Sequence, residues 1–481
     1  MSTAAVGRDV VGPAQYRSAV PEPPGRRIPA WVAIVAASLP MFMATLDNLV
    51  LTTALPVIRG DLGASVGQLA WFLNAYTLAF ATFMLPAATL GDRFGRRRVM
   101  LAGVGLFTLA SIGSALSGSP DALIIARAFQ GLGAAAIMPL SLTLLAAAVP
   151  PAMRAAAIGI WGGVSGLGVA FGPVIGGGVV EGISWQAIFW LNVPVALVAV
   201  PLLLAAIPES KGRWKRFDLL ATMLLGGAVF LGIWGIVHGN DDGWGSPVVL
   251  GSLAAAAALV PVYLWYARGR EDAVLPLRLF ASRGFSSANA IGLFFTLGMF
   301  GAVFLMAQYL QVVQGYTPLQ AGIRTLPWTA APMIVAPIAG ILVRWTGVRS
   351  LLLIGLILQA GSLIWMAIIT EAGSDYSEFV PALAMAGIGM GLTFAPSATA
   401  VLDGLPESEF AIASSANSTI REFGVALGVA LLAAVFLGNG GTVTPTGYAG
   451  AIGPALWTGA AAVAVAVVAA FFAPGRSRQV G

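Results

Sequence analysis

Asp47, Arg127 and Glu422 are among the ionisable residues that lie inside long apolar stretches of the sequence. A charged side chain in such a stretch is costly unless it faces water, meets a partner or, if it is an acid, takes up a proton. Two interpretations of Asp47 stay open: a buried acid held by local polar groups such as Thr45 and Asn48, or a protonatable group on a path through a membrane. Acids inside membrane helices favour the second interpretation.

Arg127 is a permanent cation, and Gln130 follows it about one turn later on the same helix face. Arg127 is therefore either a structural strut between helices or a partner that tunes how a nearby acid binds and releases a proton. Glu422 follows Arg421 directly, so the two side chains point about 100° apart and need not pair. Glu422 either belongs with Arg421 to an interhelical salt-bridge network or is a second proton site or an acid for cationic ligands.

Other polar residues inside apolar stretches are weaker candidates for contact with a small molecule. Asn74 and Tyr76 are two positions apart on one helix and point to nearly opposite sides. The glutamines at 308, 311 and 314 recur every three residues, which favours a cavity-lining face. Such residues also commonly form hydrogen bonds between helices. The candidate substrate-binding residues are Asn74, Tyr76, Gln130, Gln308, Gln311 and Asn417.

The composition identifies the class of protein that holds these residues. The chain has 481 residues, of which 58% are hydrophobic and only 9% are charged, and its mean hydropathy is +0.88. This indicates a multispan membrane protein. Cysteine is absent and histidine occurs once, so disulfides, cysteine nucleophiles and histidine-rich metal sites are excluded. There is no phosphate-binding G-x-x-x-x-G-K-[ST] loop and no nucleophile–base pattern, so we expect neither an enzyme nor a bound cofactor or metal.

Apolar periodicity predicts an all-α protein with fourteen transmembrane helices. An even number places both termini on one side of the membrane. All but four of the 25 lysine and arginine residues lie in loops or tails on that side, so we expect cytoplasmic termini in a multi-pass plasma membrane protein. The same asymmetry explains the pI of about 9.8 without a nucleic-acid partner. The predicted spans are 30–56, 69–90, 98–117, 120–148, 154–180, 186–207, 218–238, 246–267, 285–313, 320–343, 348–369, 379–402, 409–437 and 450–473.

Residues 91–98 read GDRFGRRR and lie between two apolar runs. This charge cluster predicts a hairpin loop at the membrane surface, with Gly91 and Gly95 allowing a tight turn. Asp92 is expected just past the end of one helix, where it can bind free N–H groups of the next helix or an arginine. Charge alone is equally well explained by a topology anchor. The candidate gating residues of this segment are Gly91, Asp92, Arg93, Gly95 and Arg96.

Three stretches of the first half resemble a known family. Residues 88–97 (ATLGDRFGRR) resemble the loop motif G-x-L-x-D-R-x-G-R-[RK] of the major facilitator superfamily, with Ala88 in place of the first glycine. Residues 46–56 (LDNLVLTTALP) resemble L-D-x-T-I-V-N-V-A-L-P, the first-span motif of its fourteen-span drug–proton antiporters. Residues 127–135 (RAFQGLGAA) are similar to R-x-x-Q-G-x-G-A-A, in which the arginine is linked to proton transfer.

Three further stretches extend the resemblance. Residues 168–177 (GVAFGPVIGG) match the antiporter motif of the superfamily's exporters, with small residues that allow close helix packing and a proline that allows a bend. Residues 185–194 (WQAIFWLNVP) resemble W-R-W-I-F-x-I-N-V-P, which we interpret as an interfacial aromatic anchor. Residues 421–424 (REFG) match an R-E-x-G pattern. Further candidate gating residues are Gly168, Gly172, Pro173, Gly176 and Gly177.

The resemblance implies a major facilitator fold of two six-helix bundles plus a two-helix insert. It also implies a monomeric, proton-coupled exporter of small lipophilic compounds, driven by the proton gradient, with Asp47, Arg127 and Glu422 in proton coupling. A dedicated exporter of one metabolite or self-made antibiotic is the first alternative. A non-transporting membrane sensor or scaffold is a remote one.

The expected organisation follows from the spans and from an internal echo. Gly131-Leu-Gly133 in the first half resembles Gly389-Met-Gly391 in the second half. This similarity suggests an internal duplication. We expect a disordered cytoplasmic tail, an N-terminal six-helix bundle, an inserted hairpin with flanking loops, a C-terminal six-helix bundle and a short cytoplasmic tail. These segments are 1–29, 30–207, 208–284, 285–473 and 474–481.

Overall fold

A computed structural model of the chain describes most of its length. The described residues are 29–150, 153–211, 218–239, 242–270, 273, 275, 277–371, 373–405 and 410–475. The regular elements within these ranges are helices, and no strand occurs there. The two predicted tails lie almost entirely outside the described residues.

Sixteen α-helices follow one another in the described part of the chain. They are α1 (Ala30–Leu62), α2 (Val66–Phe94), α3 (Arg96–Ala115), α4 (Pro120–Ala148), α5 (Arg154–Gly182), α6 (Ala187–Trp190), α7 (Asn192–Ala206), α8 (Leu219–His238), α9 (Pro247–Ala267), α10 (Arg283–Val312), α11 (Pro318–Thr329), α12 (Ala331–Thr346), α13 (Val348–Ile369), α14 (Tyr376–Leu402), α15 (Phe410–Gly438) and α16 (Pro445–Ala470).

These helices make fourteen candidate membrane spans, as the sequence predicts. Thirteen stretches are long and apolar enough to cross a membrane, and α2 supplies the fourteenth although its axis bends by 49° just before Pro86. Two spans are interrupted: α6 and α7 form one, and α11 and α12 form another. The second break lies at Ala330 between Pro327 and Pro332, where proline removes backbone donors from the helix.

The predicted loop at 91–98 is wrong, because the helices run through it. The helix α2 continues to Phe94 and α3 begins at Arg96, so Gly95 alone separates them. Gly95 has a φ of 113°, a conformation that side chains other than glycine rarely adopt. Asp92 therefore lies in the last turn of α2, not beyond its end. The first span is also longer than predicted, since α1 passes through Pro56 to Leu62.

Helix packing divides the molecule into two halves and a hairpin. In the first half α2 and α3 pack on α4, while α1 packs on α5. In the second half α10 packs on α15 and α16, and α13 packs on α14 and α16. The helices α8 and α9 pack on each other, and α8 also contacts α2 and α15. The two halves meet mainly where α5 contacts α11 and α2 contacts α15.

The contact between the halves is tightest at one end of the molecule. Gly177 of α5 lies against the backbone carbonyl of Pro318, and Gly322 of α11 lies against that of Pro173, so closely that neither glycine could carry a Cβ. We call the opposite end, where α2 passes into α3, the arginine side. Towards that side, α5 borders open space at Gly162. The halves are therefore in close backbone contact at the far end.

An internal repeat relates the two halves, but its register differs from the predicted one. In the first half, Gly133 of α4 lies against the carbonyl of Gly103 on α3. In the second half, Gly389 of α14 lies against the carbonyl of Gly355 on α13 in the same way. The counterpart of Gly133 is therefore Gly389 and not Gly391. The sequence runs Gly-Ile-Gly-Met-Gly there, so the pattern alone could not choose between the two pairs of glycines.

The close approach of α3 and α4 can be tested with a matched pair of substitutions. A Cβ at Gly103 would collide with Ala136 and the Gly133 carbonyl, whereas a Cβ at Gly105 would meet open space. We expect Gly103→Ala to lower stability by about 1–3 kcal/mol through overpacking. Gly105→Ala should leave stability unchanged or raise it through helix propensity. Thermal unfolding in detergent measures both, and equal midpoints would contradict the packing described here.

Candidate functional site

Asp47 lies in the middle of α1 and is the centre of a buried polar cluster. It is 4% exposed and Arg127 is fully buried. The carboxylate of Asp47 accepts a charge-assisted hydrogen bond of 2.5 Å from Nη1 of Arg127. It also accepts hydrogen bonds of 2.7 Å from Nε2 of Gln130 and from Nδ2 of Asn192. We call these four residues the Asp47 cluster; it joins α1, α4 and α7.

Arg127 is fixed from several sides. Its Nη1 also donates to Oε1 of Gln130 over 2.7 Å, and its Nε donates to the carbonyl of Phe72 over 3.1 Å. The guanidinium carbon lies 4.4 Å from the ring centre of Tyr76, which is a cation–π contact. The hydroxyl of Tyr76 donates in turn to the carbonyl of Ala44. Residues of α2 therefore support the cation that neutralises Asp47.

The interpretation that local polar groups hold Asp47 is wrong for Thr45. Thr45 does not hold the carboxylate, because its hydroxyl donates to the backbone carbonyls of Met41 and Phe42. The partners of Asp47 come instead from helices distant in sequence. Arg127 and Gln130 meet the acid together, as their spacing on one helix face suggests. This geometry is compatible both with a structural strut and with a role in proton transfer.

Asn192 is a member of the cluster that the sequence analysis missed. Residues 185–194 were expected to form an interfacial aromatic anchor, but Asn192 is buried and donates to both Asp47 and Oγ of Ser111. Trp185 is also buried, and its indole N–H donates to Asp61 over 2.7 Å. The available signal was an amide in an apolar span, which marks a polar contact inside a membrane protein.

The remaining candidate substrate residues have different hydrogen-bond partners. Asn74 is buried, and neither polar atom of its amide has a partner among the described residues. Gln308 donates to its own helix, whereas Gln311 donates to the carbonyl of Thr53 in the other half over 3.0 Å. Asn417 donates to Asn289. The regularly spaced glutamines therefore differ in the groups that they bind.

Arg421 and Glu422 do not form the salt-bridge network that was one of their interpretations. Within the described ranges, neither side chain has an ion-pair partner within 4.0 Å. The guanidinium of Arg421 lies 4.8 Å from the ring centre of Phe394. The residue after Glu422, Phe423, packs in one apolar cluster with Leu78 and Ala81 of α2, so Glu422 lies on the stretch of α15 that borders the first half.

The GDRFGRRR segment is held by a residue that the sequence did not single out. Asp92 pairs with Arg96 across Gly95 over 2.8 Å. The carboxylate of Glu209 accepts hydrogen bonds from the backbone N–H groups of Arg97 and Arg98, at 3.0 and 3.2 Å. A carboxylate at this position satisfies orphan donors of the first turn of α3. The described partners of this segment belong to the first half or to the loop that directly follows it.

The second half has a simpler version of the same junction. In the first half, Nη1 of Arg97 donates to the carbonyl of Ile207 over 2.9 Å. In the second half, Nε of Arg349 donates to the carbonyl of Ala473 over 2.8 Å. Two residues later, Gly475 stands where the first half has Glu209. The second half therefore lacks the capping carboxylate at this point.

The small residues of α5 let it approach two helices. A Cβ on Gly168, Gly172 or Gly176 would collide with α1, at Thr45, Leu49 and Val50 respectively. Gly177 faces α11 of the other half instead, and the carbonyl of Pro173 accepts a hydrogen bond from Thr53. The candidate gating residues 168–177 thus include contacts within one half and contacts between the halves.

The family follows from comparison with known proteins. Residues 37–429 match the sequence profile of the Major Facilitator Superfamily. This chain belongs to the Major Facilitator Superfamily. Its fold is therefore the major facilitator fold, with two six-helix bundles and α8 and α9 as the added hairpin.

Relatives within the superfamily carry names from antibiotic resistance and export. The chain is 33% identical to the "Tetracenomycin C resistance and export protein" of Streptomyces glaucescens, covering 88% of this chain and 79% of that protein. It is 36% identical to the "Multidrug resistance protein Stp" of Mycobacterium tuberculosis, over 84% and 75%. It is 32% identical to the "Probable actinorhodin transporter" of Streptomyces coelicolor, over 88% and 74%.

A solved structure supports the superfamily fold independently of sequence. The crystal structure of a bacterial homologue of the human lysosomal transporter Spinster, described as inward-facing and unoccupied, matches with a TM-score of 0.67. The match covers 93% of this chain and 98% of that one, at 17% identity.

The charge balance of the Asp47 cluster can be tested by thermal unfolding. Arg127→Gln leaves a buried acid without its counter-charge, and breaking such a pair costs about 3–5 kcal/mol. We expect a clearly lower unfolding midpoint at pH 8. The double variant Asp47→Asn/Arg127→Gln removes both charges and should recover at least half of the loss. A double variant as unstable as the sum of the two single variants would contradict this pairing.

The cap on α3 can be tested by hydrogen exchange. Glu209→Ala removes the acceptor of the Arg97 and Arg98 amides, a loss comparable to that of a helix cap at about 1 kcal/mol. We expect severalfold faster exchange of these amides, measured by mass spectrometry on the peptide that contains them. Glu209→Gln keeps an acceptor oxygen and should lie in between. Glu378→Ala, in the exposed first turn of α14, serves as the control, and unchanged exchange in Glu209→Ala would refute the cap.

Proposed function

We propose that this superfamily member is a proton-coupled secondary exporter of small lipophilic compounds. It acts as a monomer in the plasma membrane, with the arginine side and both termini in the cytoplasm, and it uses the proton gradient and no cofactor. The observation that most supports proton coupling is the buried Asp47, whose nearest counter-charge is Arg127 at 2.5 Å. When this buried carboxyl is ionised it neutralises Arg127, and when it is protonated the charge of Arg127 is left without a partner.

The mechanism couples that charge balance to helix packing. When Asp47 is ionised, it holds Arg127 and Asn192 and so ties α1 to α4 and α7. A proton on Asp47 removes the attraction and leaves Arg127 uncompensated, which favours rearrangement of these helices. Substrate and proton then bind in alternation while the halves rock about a site near the midplane. Glu422, at the boundary between the halves, is a second candidate for the proton.

The far end of the molecule provides the closed gate of this cycle. There Gly177 packs on Pro318, and Gln311 donates to Thr53 across the halves. These contacts must break for the opposite access to form. On the arginine side, the GDRFGRRR segment is available to clasp the inner ends of neighbouring helices in the alternative state, with Asp92 as its latch.

The names of the relatives are compatible with either a broad or a narrow range of substrates. The name "Multidrug resistance protein Stp" favours a broad exporter. The name "Tetracenomycin C resistance and export protein" favours a dedicated exporter of a self-made antibiotic. A transport assay over many compounds separates the two, because a dedicated exporter responds to a single chemical series.

Proton release from acid-loaded proteoliposomes tests the proposal. Pyranine trapped in the lumen reports its pH while lipophilic cations, neutral drugs and aromatic antibiotics are added outside. We expect compound-dependent proton efflux in the wild type and at least a tenfold lower rate in Asp47→Asn. Counterflow of labelled compound against unlabelled compound needs no proton step, so Asp47→Asn should retain it within threefold. Glu378→Gln, an exposed acid in the first turn of α14, is the matched control.

Each other result has a definite meaning. Efflux that survives in Asp47→Asn and vanishes in Glu422→Gln assigns the coupling proton to Glu422. Loss of counterflow together with efflux in Asp47→Asn makes Asp47 a structural residue. Absence of efflux with every compound would refute proton-coupled export and favour a sensor or scaffold.

A further inference from the structure

Glu181 lies near the end of α5 and contacts the other half of the molecule. Its carboxylate accepts a hydrogen bond of 3.3 Å from the backbone N–H of Leu319, in the first turn of α11. We propose that Glu181 is a positioning residue of the transport cycle, whose negative charge favours the state with the far end closed. This inference rests on the proposed alternating access and assigns a residue to its control.

One backbone donor in the first turn of α11 finds its acceptor in the first half. Pro318 begins the helix and has no N–H to satisfy. The N–H of Gln320 donates to the hydroxyl of Thr317, and the side-chain oxygen of Gln320 accepts from the Thr317 N–H. Leu319 stands between these residues, and its N–H donates to Glu181. The first half thus completes the cap of a helix that belongs to the second half.

The bond to Glu181 differs from two other hydrogen bonds that cross between the halves. Thr329 donates to the backbone carbonyl of Ala170 over 3.1 Å, and Gln311 donates to that of Thr53 over 3.0 Å. Both of these acceptors are neutral. The carboxylate of Glu181 is charged, so it also interacts favourably with the positive end of the α11 dipole. The strength of this contact therefore depends on the charge of a single side chain.

Glu181 has no ion-pair partner in the described part of the chain, where no basic side chain lies within 4.0 Å of its carboxylate. Arg324 of α11 instead stacks on Tyr316, with 3.7 Å between the guanidinium carbon and the ring centre. Asp61, another acid at this end, accepts a hydrogen bond of 2.7 Å from Trp185 within the first half. The start of α11 is therefore the positive group that Glu181 meets.

The bond to Glu181 requires α5 and α11 to be in contact. The close approach of Gly177 to Pro318 brings the start of α11 against α5, and the helix break at Ala330 separates α11 from α12. Opening of the far end moves α11 away from α5, so that the carboxylate and the Leu319 N–H both return to water. A group that binds in only one of two states shifts the equilibrium towards that state. Ionised Glu181 therefore favours the closed far end, and its removal favours the open one.

The distance between two spin labels at the far end tests this role. The chain contains no cysteine, so Gly118→Cys and Gly373→Cys attach one label to each half. Both glycines are exposed and have open space around them. Double electron–electron resonance in detergent reports the closed and open far end as a short and a long distance. We expect Glu181→Ala to raise the ratio of open to closed about fivefold, which corresponds to the loss of one helix cap. Glu181→Gln keeps an acceptor oxygen without the charge and should raise this ratio about twofold.

Glu378→Ala is the matched control for the loss of an acid at this end. Glu378 is exposed in the first turn of α14, and its removal should leave the ratio unchanged. Amide exchange of the peptide that contains Leu319 is the second readout, and it should become severalfold faster in Glu181→Ala. If Glu181→Ala does not fold, Glu181→Gln carries the test.

An unchanged ratio in both Glu181 variants, or an equal rise in Glu378→Ala, would overturn the proposal. The distances require neither a proton gradient nor a transported compound, so they are independent of the proteoliposome assay. Normal proton efflux with an unchanged ratio would refute this role of Glu181 and leave the export function intact. A raised ratio in a protein that shows no efflux would support the role and refute proton-coupled export.

Discussion

A carboxylate inside a membrane span persists as an ion only where other groups replace water around it. Asp47 meets this condition with one cation and two amides, which come from α4 and α7. The arrangement constrains most of the first half, because each donor must be brought to the same two oxygens. The π face of Tyr76 and the carbonyl of Phe72 extend the constraint to α2. Four of the six spans of this half are thereby fixed around a single negative charge.

The two halves share a fold but differ in how their buried charges and helix ends are paired. Helix pairs α3–α4 and α13–α14 use the same glycine contacts, at Gly133 and Gly389. The first half neutralises its buried arginine and caps α3 with Glu209. The second half holds Arg421 without an ion partner in the described region and has Gly475 in place of the cap. Duplicated helices thus supply a common scaffold, while single substitutions give each half its own electrostatics.

Sequence alone predicted the spans and the family, since apolar length and short motifs carry that information, and it singled out Asp47 and Arg127, which the structure places in contact. Asp47 and Arg127 were found because a charge in an apolar run is conspicuous. Asn192 and Glu209 were missed for a physical reason. An amide or a terminal carboxylate is ordinary in its local context, and its role depends on which distant group the fold brings to it. The single-residue junction at Gly95 was missed because a charged helix end has the composition of a loop.

The bend in α2 has a mechanical consequence. The shorter segment, Pro86–Phe94, is joined through Gly95 to α3, while the longer segment contacts α15 of the other half. A straight helix from Val66 to Met84 is about 28 Å long. A change of 10° at the joint would swing its tip by about 5 Å, on the order of one helical turn. A small rotation of the short segment near one membrane face is thus converted at Pro86 into a large displacement of the far tip of the long segment. Such a displacement is large enough to open a passage at the other face.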